Sequence, residues 1–328
     1  MPIPLAYSNH RKSDFVCPDQ LPTPVQYTAP VFVKTDFVQD RPKISWMSND
    51  VRNHFVAMLG EFIGTFSFLF FGLAAVQIAN SKPDTLLRID LLSSSPSLLQ
   101  IIYMSASFGI SLTVSVWVFY RVSGGMFNPA VTFGLCLAGA VPWVRGALLV
   151  PIQLLASVAA SLLVSYLFPG DFDTQANIGA GVSPVQGLFI EMILTCELVF
   201  TILMLAVENH RGSFAAPIGI GLAFFVSVLV GSNFSGACLN PARSFGPDVV
   251  LMDFKSYHWI YWVGPVSGAV IAVGIYKILK LLEYTTANPG QDDDGLDVYR
   301  VVSRRQQVHH RRRGSNESYS SQDPLAYA

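Results

Sequence analysis

Apolar runs with little or no charge, each about as long as a lipid bilayer is thick, recur along the chain. They lie near residues 55-79, 98-119, 146-167, 185-207, 215-231 and 258-281. A hydrocarbon core of about 30 Å needs roughly 20 apolar residues of helix to cross it. Inside that solvent each backbone N–H and C=O must find its partner within the protein, so runs of this kind cross as helices. Clusters of Pro, Asp or Ser at 81-96, 169-184 and 208-213 separate most of the runs. The expected class is an all-α membrane protein with six transmembrane helices.

The distribution of charge agrees. Asp, Glu, Lys and Arg make up 13% of the 328 residues, against roughly 25% in a soluble domain. Of the 43 charges, 11 fall in residues 1-54 and 13 in residues 282-328, leaving 19 for the 227 residues between them. The chain therefore divides into an N-terminal tail (1-54), a membrane body (55-281) and a C-terminal tail (282-328). Neither tail can bury enough apolar surface to fold alone, and both are expected to be disordered. Residues 1-20 carry Pro2, Pro4, Asp14 and Pro18 and no apolar core of a signal peptide. The first hydrophobic run is expected to direct insertion itself.

Several function classes drop out. A formal net charge of -1 offers no field for nucleic acid. Cys17, Cys136, Cys196 and Cys238 have neither disulfide-type nor metal-type spacing, so no metal or other cofactor is expected. No nucleophile and base converge on one motif, which argues against an enzyme. Six crossings return both tails to one side. Arg52, Arg121, Arg145, Arg211, Lys277 and Lys280 fall on that side and Asp84, Asp90, Asp171 and Asp173 on the other, so both tails should be cytoplasmic.

Two segments are too short to be spans. Gly124-Gly125-Met126-Phe127-Asn128-Pro129-Ala130-Val131 opens an apolar stretch ending near Gly139, and Gly236-Ala237-Cys238-Leu239-Asn240-Pro241-Ala242-Arg243 opens another. About ten helical residues rise about 15 Å, half a membrane. Asn is a favoured N-cap and Pro suits the first helical position, so each motif starts a half-helix. A given tripeptide occurs by chance in a chain of this length with probability on the order of 0.04, so two copies in matched contexts are not accidental helix starts. Non-helical backbone at membrane depth is tolerated where it lines a cavity, as these glycine-rich approaches should. Gly60-Glu61-Phe62-Ile63-Gly64-Thr65 also answers Ile190-Glu191-Met192-Ile193-Leu194-Thr195. With three spans per half, repeats of about 55-168 and 185-281 run in opposite directions, an inverted repeat.

These paired motifs, together with Thr132 and Ser244-Phe245-Gly246-Pro247, resemble the aquaporin (major intrinsic protein) family over about residues 55-281. They are most similar to its orthodox, fungal-type water channels. The resemblance implies six transmembrane helices plus two re-entrant half-helices, a homotetramer with one pore per subunit, and a plasma-membrane location. It also implies passage of water and small neutral solutes. With the half-helices entering from opposite faces, Asn128 and Asn240 meet near the midplane at two positive helix ends. Their side-chain N–H groups can donate to one passing water oxygen. The carbonyls of Gly125, Met126, Ala237 and Cys238 would form an acceptor track beside them.

Arg243 sits in the first turn of a helix, where the dipole opposes it, and at a depth where charge is costly, so it is expected to face the pore. The resemblance places it in an outer selectivity filter with Phe108, Ala237 and Val228. Orthodox water channels usually carry His where Val228 stands. Glycerol-conducting relatives typically have Asp where this chain has Ser244 and Trp where it has Phe108. Two readings stay open: a water channel that also passes hydrogen peroxide, and a mixed-solute channel passing glycerol or urea. A secondary transporter is disfavoured because the midplane pair is Asn rather than an ionisable group. A non-conducting junctional scaffold is the remaining class. By resemblance Glu61 and Glu191 anchor the re-entrant loops, while Asp248 is expected as an ordinary loop acid. In the tails, Arg312-Arg313-Gly314-Ser315 offers a basic-directed phosphorylation site, and the Pro-rich segment with Tyr27 and Phe32 offers a gate.

Overall fold

A computed structural model describes residues 47-81, 97-208, 210 and 212-288. Tyr27, Phe32 and Ser315 lie outside the described residues, as do Asp84, Asp90 and Arg211. Among the described residues eight α-helices follow in order: α1 (Asn49–Ser81), α2 (Leu98–Phe119), α3 (Pro129–Ala138), α4 (Trp143–Leu167), α5 (Pro184–Ile202), α6 (Ala216–Gly231), α7 (Pro241–Leu251) and α8 (Ile260–Leu281). A π-turn, Leu203–Val207, prolongs α5, and a short 3-10 turn, Ser213–Ala215, leads into α6.

Among the described residues six helices are long and apolar enough to cross a membrane: α1, α2, α4, α5 with its π-turn, α6 with its 3-10 turn, and α8. The spans agree with the apolar runs to within a few residues, except at the start. There α1 begins at Asn49, ahead of the run that opens near residue 55, because Ser48 caps it. The Ser48 hydroxyl accepts from Val51 N–H at 3.4 Å and its carbonyl accepts from Arg52 N–H at 3.0 Å. A capped polar turn thus extends the helix past the bilayer-length segment. The two short helices, α3 and α7, have 10 and 11 residues.

Packing follows the inverted repeat. In the first half α1 packs on α2 and α4; in the second α5 packs on α6 and α8; α2 and α6 join the halves. Each half-helix is seated on the last helix of the opposite half, α3 on α8 and α7 on α4. The α2–α6 crossing is close because Gly109 and Gly221 face each other, and a methyl group on either would press into the carbonyl of the other.

Arg52, Arg121, Arg145, Lys277 and Lys280 lie at the end of the bundle where α1 begins, hereafter the termini face. The opposite end, the loop face, carries Asp171 and Asp173 in the α4–α5 connection. That connection is tied to α1: Gln77 Nε2 donates to Asp171 O at 2.9 Å, and Asn80 Nδ2 donates to Asp173 O at 2.8 Å.

Candidate functional site

Both Asn-Pro-Ala segments cap helices as their composition dictates. Asn128 is extended (φ -154°, ψ 121°), and its Oδ1 accepts from Ala130 N–H at 2.9 Å. Asn240 (φ -147°, ψ 110°) accepts from Ala242 N–H at 2.9 Å. Pro129 and Pro241 occupy the first helical positions, where no N–H is needed. The amide nitrogens cross between repeats: Asn128 Nδ2 donates to Leu239 O at 2.8 Å and Asn240 Nδ2 to Phe127 O at 2.9 Å. Two helix N-termini are thereby locked end to end, each holding the carbonyl that precedes the other's cap.

The approach to each Asn is left-handed at three of the four residues before it. Gly124, Gly125 and Phe127 have φ of 105°, 66° and 50°, and Gly236, Ala237 and Leu239 have φ of 83°, 46° and 54°. For the non-glycine residues such a conformation costs on the order of 1–3 kcal/mol and persists only where its surroundings impose it. The imposing groups are Glu61 and Glu191, each 0% exposed. Glu61 accepts from Met126 N–H at 3.0 Å, Phe127 N–H at 2.8 Å, Ser123 Oγ at 2.8 Å and Gln153 Nε2 at 2.8 Å. Glu191 accepts from Cys238 N–H at 2.8 Å, Leu239 N–H at 2.7 Å and Ser235 Oγ at 2.7 Å. The Phe127 ring fills the notch at Gly64, where a methyl group would overlap it.

Among the described residues three cavities lie within the bundle. The loop-face cavity, about 390 Å³, brings together Phe108, Val228, Ala237 and Arg243, the four expected filter residues. Arg243 is 5% exposed, its Cζ stands 5.8 Å from the Phe108 ring centroid, and its Nη1 makes no hydrogen bond within the chain. At mid-depth a space of about 10 Å³ is bordered by Asn128, Asn240, Phe68 and Phe224. On the termini face a cavity of about 550 Å³ reaches Gly125 and Met126. Of the expected track residues, Gly125, Met126 and Ala237 border these spaces. The Cys238 side chain packs with Ala176, Ile260 and Tyr261, its Sγ 3.5 Å from Asn240 O.

One expectation needs correction. Asp248 is not a loop acid: it lies in α7, 4% exposed, accepting from Gln175 Nε2 at 3.0 Å and facing His258 Nδ1 at 2.6 Å. The half-helix opened by the second motif, α7, runs on through Pro247 to Leu251 and so carries Asp248 inside it. Sequence reasoning also passed over Ser123 and Ser235, although both stand five residues before a motif Asn in a Ser-Gly pair. Gln153, which binds Glu61 and also Thr132 Oγ1 at 2.8 Å, gave no such signal. Glu197 is exposed on α5. Among the described residues no group of three or more His, Cys, Asp or Glu side chains is arranged to hold a metal ion.

Residues 48–276 match the model of the Major intrinsic protein family. The chain is 54% identical over 247 residues to Aquaporin-7 of Botryotinia fuckeliana, covering 75% of this chain and 54% of that one. It is 48% identical over 264 residues to Aquaporin-1 of Gibberella zeae, covering 79% and 80%. It spans about half the length of several curated relatives it matches. Among solved structures it is similar to the X-ray structure of the aquaglyceroporin from Plasmodium falciparum, with a TM-score of 0.61 and 20% identity, covering 70% of this chain and 99% of that one. At that identity the likeness concerns the fold.

Proposed function

Because the chain belongs to the major intrinsic protein (aquaporin) family, we propose that it is a passive transmembrane water channel that excludes protons and ions. The observation that carries the reading is the reciprocal Asn pair. Each amide nitrogen bears two hydrogens and commits one to the opposite repeat; the second remains for the narrow space that both side chains border. A water oxygen held there accepts from both Asn128 and Asn240. Its own hydrogens then point away along the pore in both directions, so a proton relay is interrupted at that molecule. The two half-helix N-termini, each carrying about +0.5 charge, repel cations. Arg243, which borders the loop-face cavity and whose buried Nη1 has no acceptor within the chain, adds a second positive barrier. Half-helix dipoles and a filter Arg are the general barrier of aquaporin-type pores.

The carbonyls of Gly125, Met126, Ala237 and Cys238 supply the track by which water enters and leaves the pair, and Glu61 and Glu191 hold that track rigid. The cluster of Arg and Lys at the termini face supports cytoplasmic tails, and the family resemblance supports a homotetramer in the plasma membrane with one pore per subunit. A second reading, passage of glycerol, urea or hydrogen peroxide, is favoured by Val228 and Ala237, which leave the loop-face cavity broad.

The test is light scattering by proteoliposomes after a sucrose shock. The chain should accelerate shrinkage over protein-free liposomes, and Arg243→Val should keep water flux while admitting protons or alkali cations. Shrinkage at the protein-free rate would overturn the channel reading.

A further inference from the structure

Three phenylalanines from three helices close on one another between the loop-face cavity and the Asn pair. Phe68 of α1, Phe108 of α2 and Phe224 of α6 are 1%, 3% and 1% exposed. Their ring centroids are 6.0 Å apart for Phe68–Phe108, 5.5 Å for Phe68–Phe224 and 5.9 Å for Phe108–Phe224, with interplanar angles of 64°, 85° and 52°. Steeply tilted and edge-to-face contacts at these distances are favourable ring geometries, and each ring holds two others. Phe108 is seated further by Gly72, one turn beyond Phe68 on α1, where a methyl group would overlap its ring.

The cavities divide at this triangle. The loop-face cavity is bordered by Phe108 and the mid-depth space by Phe68 and Phe224, and the two share no lining residue. The mid-depth space does share Val116, Met126 and Ile220 with the termini-face cavity. Of these three cavities the narrowest therefore lies inward of the filter. Phe224 lies four residues before Val228 on α6, hence on the same face one turn deeper. About 10 Å³ of space is at the lower limit for one water.

We propose that Phe224, braced by Phe68, is the size-determining residue of this pore. The outer filter, relaxed by Val228, admits small polyols and amides to the vestibule, and the aromatic triangle stops them one turn further in. The bulk missing at Val228 has been moved inward rather than lost. This inference rests on the channel reading and deepens it: the pore conducts water and excludes glycerol and urea.

The experiment compares the full chain with Phe224→Val, Phe224→Leu and Val228→His in proteoliposomes, using a sucrose shock for water and a glycerol shock for solute entry. The wild-type chain should pass water and re-swell in glycerol no faster than protein-free liposomes. Phe224→Val should raise the ratio of glycerol entry to water flux on the order of tenfold, as expected when a few methylene volumes leave an apolar constriction. Val228→His, which narrows the outer filter, should not be needed for glycerol exclusion, so its glycerol-to-water ratio should not fall below that of the wild type. If Phe224→Val fails to insert, Phe224→Leu, which keeps an apolar side chain and removes the ring, should raise glycerol entry to a smaller degree. Either Phe224 variant passing water yet excluding glycerol as the wild type does would overturn the proposal. So would a glycerol-permeable wild type that Val228→His closes, because the outer filter would then be the selector. An absence of water flux in the wild type would instead overturn the channel reading, with this inference falling alongside it.

Discussion

The loop before Asn128 and the loop before Asn240 are the same device built twice, and their differences separate what the device requires from what merely supports it. Both need a carboxylate, because two consecutive backbone N–H groups point into protein and one carboxylate accepts both: Met126 and Phe127 on Glu61, Cys238 and Leu239 on Glu191. Both use a serine that donates to that acid and accepts from the loop, Ser123 from Gly125 N–H at 3.3 Å and Ser235 from Ala237 N–H at 3.2 Å. Beyond this the repeats part. In the first, Gln153 of α4 ties the acid to Thr132 of α3, so loop, half-helix and bracing helix share one network. In the second, Tyr261 of α8 bypasses the acid and donates to Ser235 O at 2.8 Å. The second loop also carries two non-glycine left-handed residues, Ala237 and Leu239, where the first carries only Phe127. The required chemistry is fixed by inward-pointing backbone; the supporting chemistry is free to vary.

The largest expected effect comes from removing either acid. Glu61→Ala and Glu191→Ala each strand two buried N–H groups, at about 1–3 kcal/mol apiece, and release a loop whose backbone is held against its preference. Water permeability per inserted protein should collapse in both. The loss should be deeper for Glu191→Ala, which frees the loop with more left-handed strain. A variant of either acid with wild-type flux would break the comparison at its root.

A smaller effect distinguishes the supports. Gln153→Leu deletes a hydrogen bond to a charged acceptor, worth about 1.5–3 kcal/mol, together with the bond to Thr132. Tyr261→Phe deletes one bond between neutral groups, worth about 0.5–1.5 kcal/mol. Both should conduct water, and thermal unfolding in detergent should show the larger drop in melting temperature for Gln153→Leu. Equal drops would mean that the fourth donor to Glu61 adds nothing that the second cradle lacks.

Much of this was legible beforehand, for a physical reason. Span length, half-helix starts and the paired acids are read from local rules: a bilayer thickness, a cap preference, and a charge that cannot stand unpartnered in an apolar run. Asn128, Asn240, Glu61 and Glu191 each violate the surrounding composition, and such violations are visible in one dimension. Phe68 and Phe224 do not. An aromatic among Leu, Val and Ala looks like ordinary core, and only the meeting of α1, α2 and α6 makes the triangle. Gln153 and Asp248 were hidden in the same way, since their partners lie 92 residues (Glu61), 73 residues (Gln175) and 10 residues (His258) away. The early start of α1 eluded the apolar window because capping is blind to hydropathy.

The inverted repeat also contrasts at the ends of its first helices, and the smallest effect lies there. The end of α1 is tied by the neutral amides Gln77 and Asn80. The end of α5 is tied by a carboxylate: Glu208 accepts from Tyr276 Oη at 2.5 Å, Lys280 Nζ at 2.9 Å and Tyr284 Oη at 3.3 Å. Burial alone would raise the Glu208 carboxyl, but the Tyr276 and Lys280 hydrogen bonds, the Lys280 charge and the Tyr284 hydroxyl outweigh it and hold the group below the ordinary glutamate value. A depressed folded-state value means that the clamp stabilises fully at neutral pH and loses that stabilisation as pH falls from the ordinary glutamate value through the depressed one. Lys280 is half exposed, so solvent screens the pair and its contribution is small. The difference in melting temperature between the wild type and Glu208→Gln should therefore be modest and constant above the glutamate range, then close on acidification. Gln77→Leu should lower the melting temperature by an amount that does not change with pH across the same window. A Glu208→Gln difference that persisted unchanged into strong acid would show that the second tie, like the first, is held by hydrogen-bond geometry and not by charge.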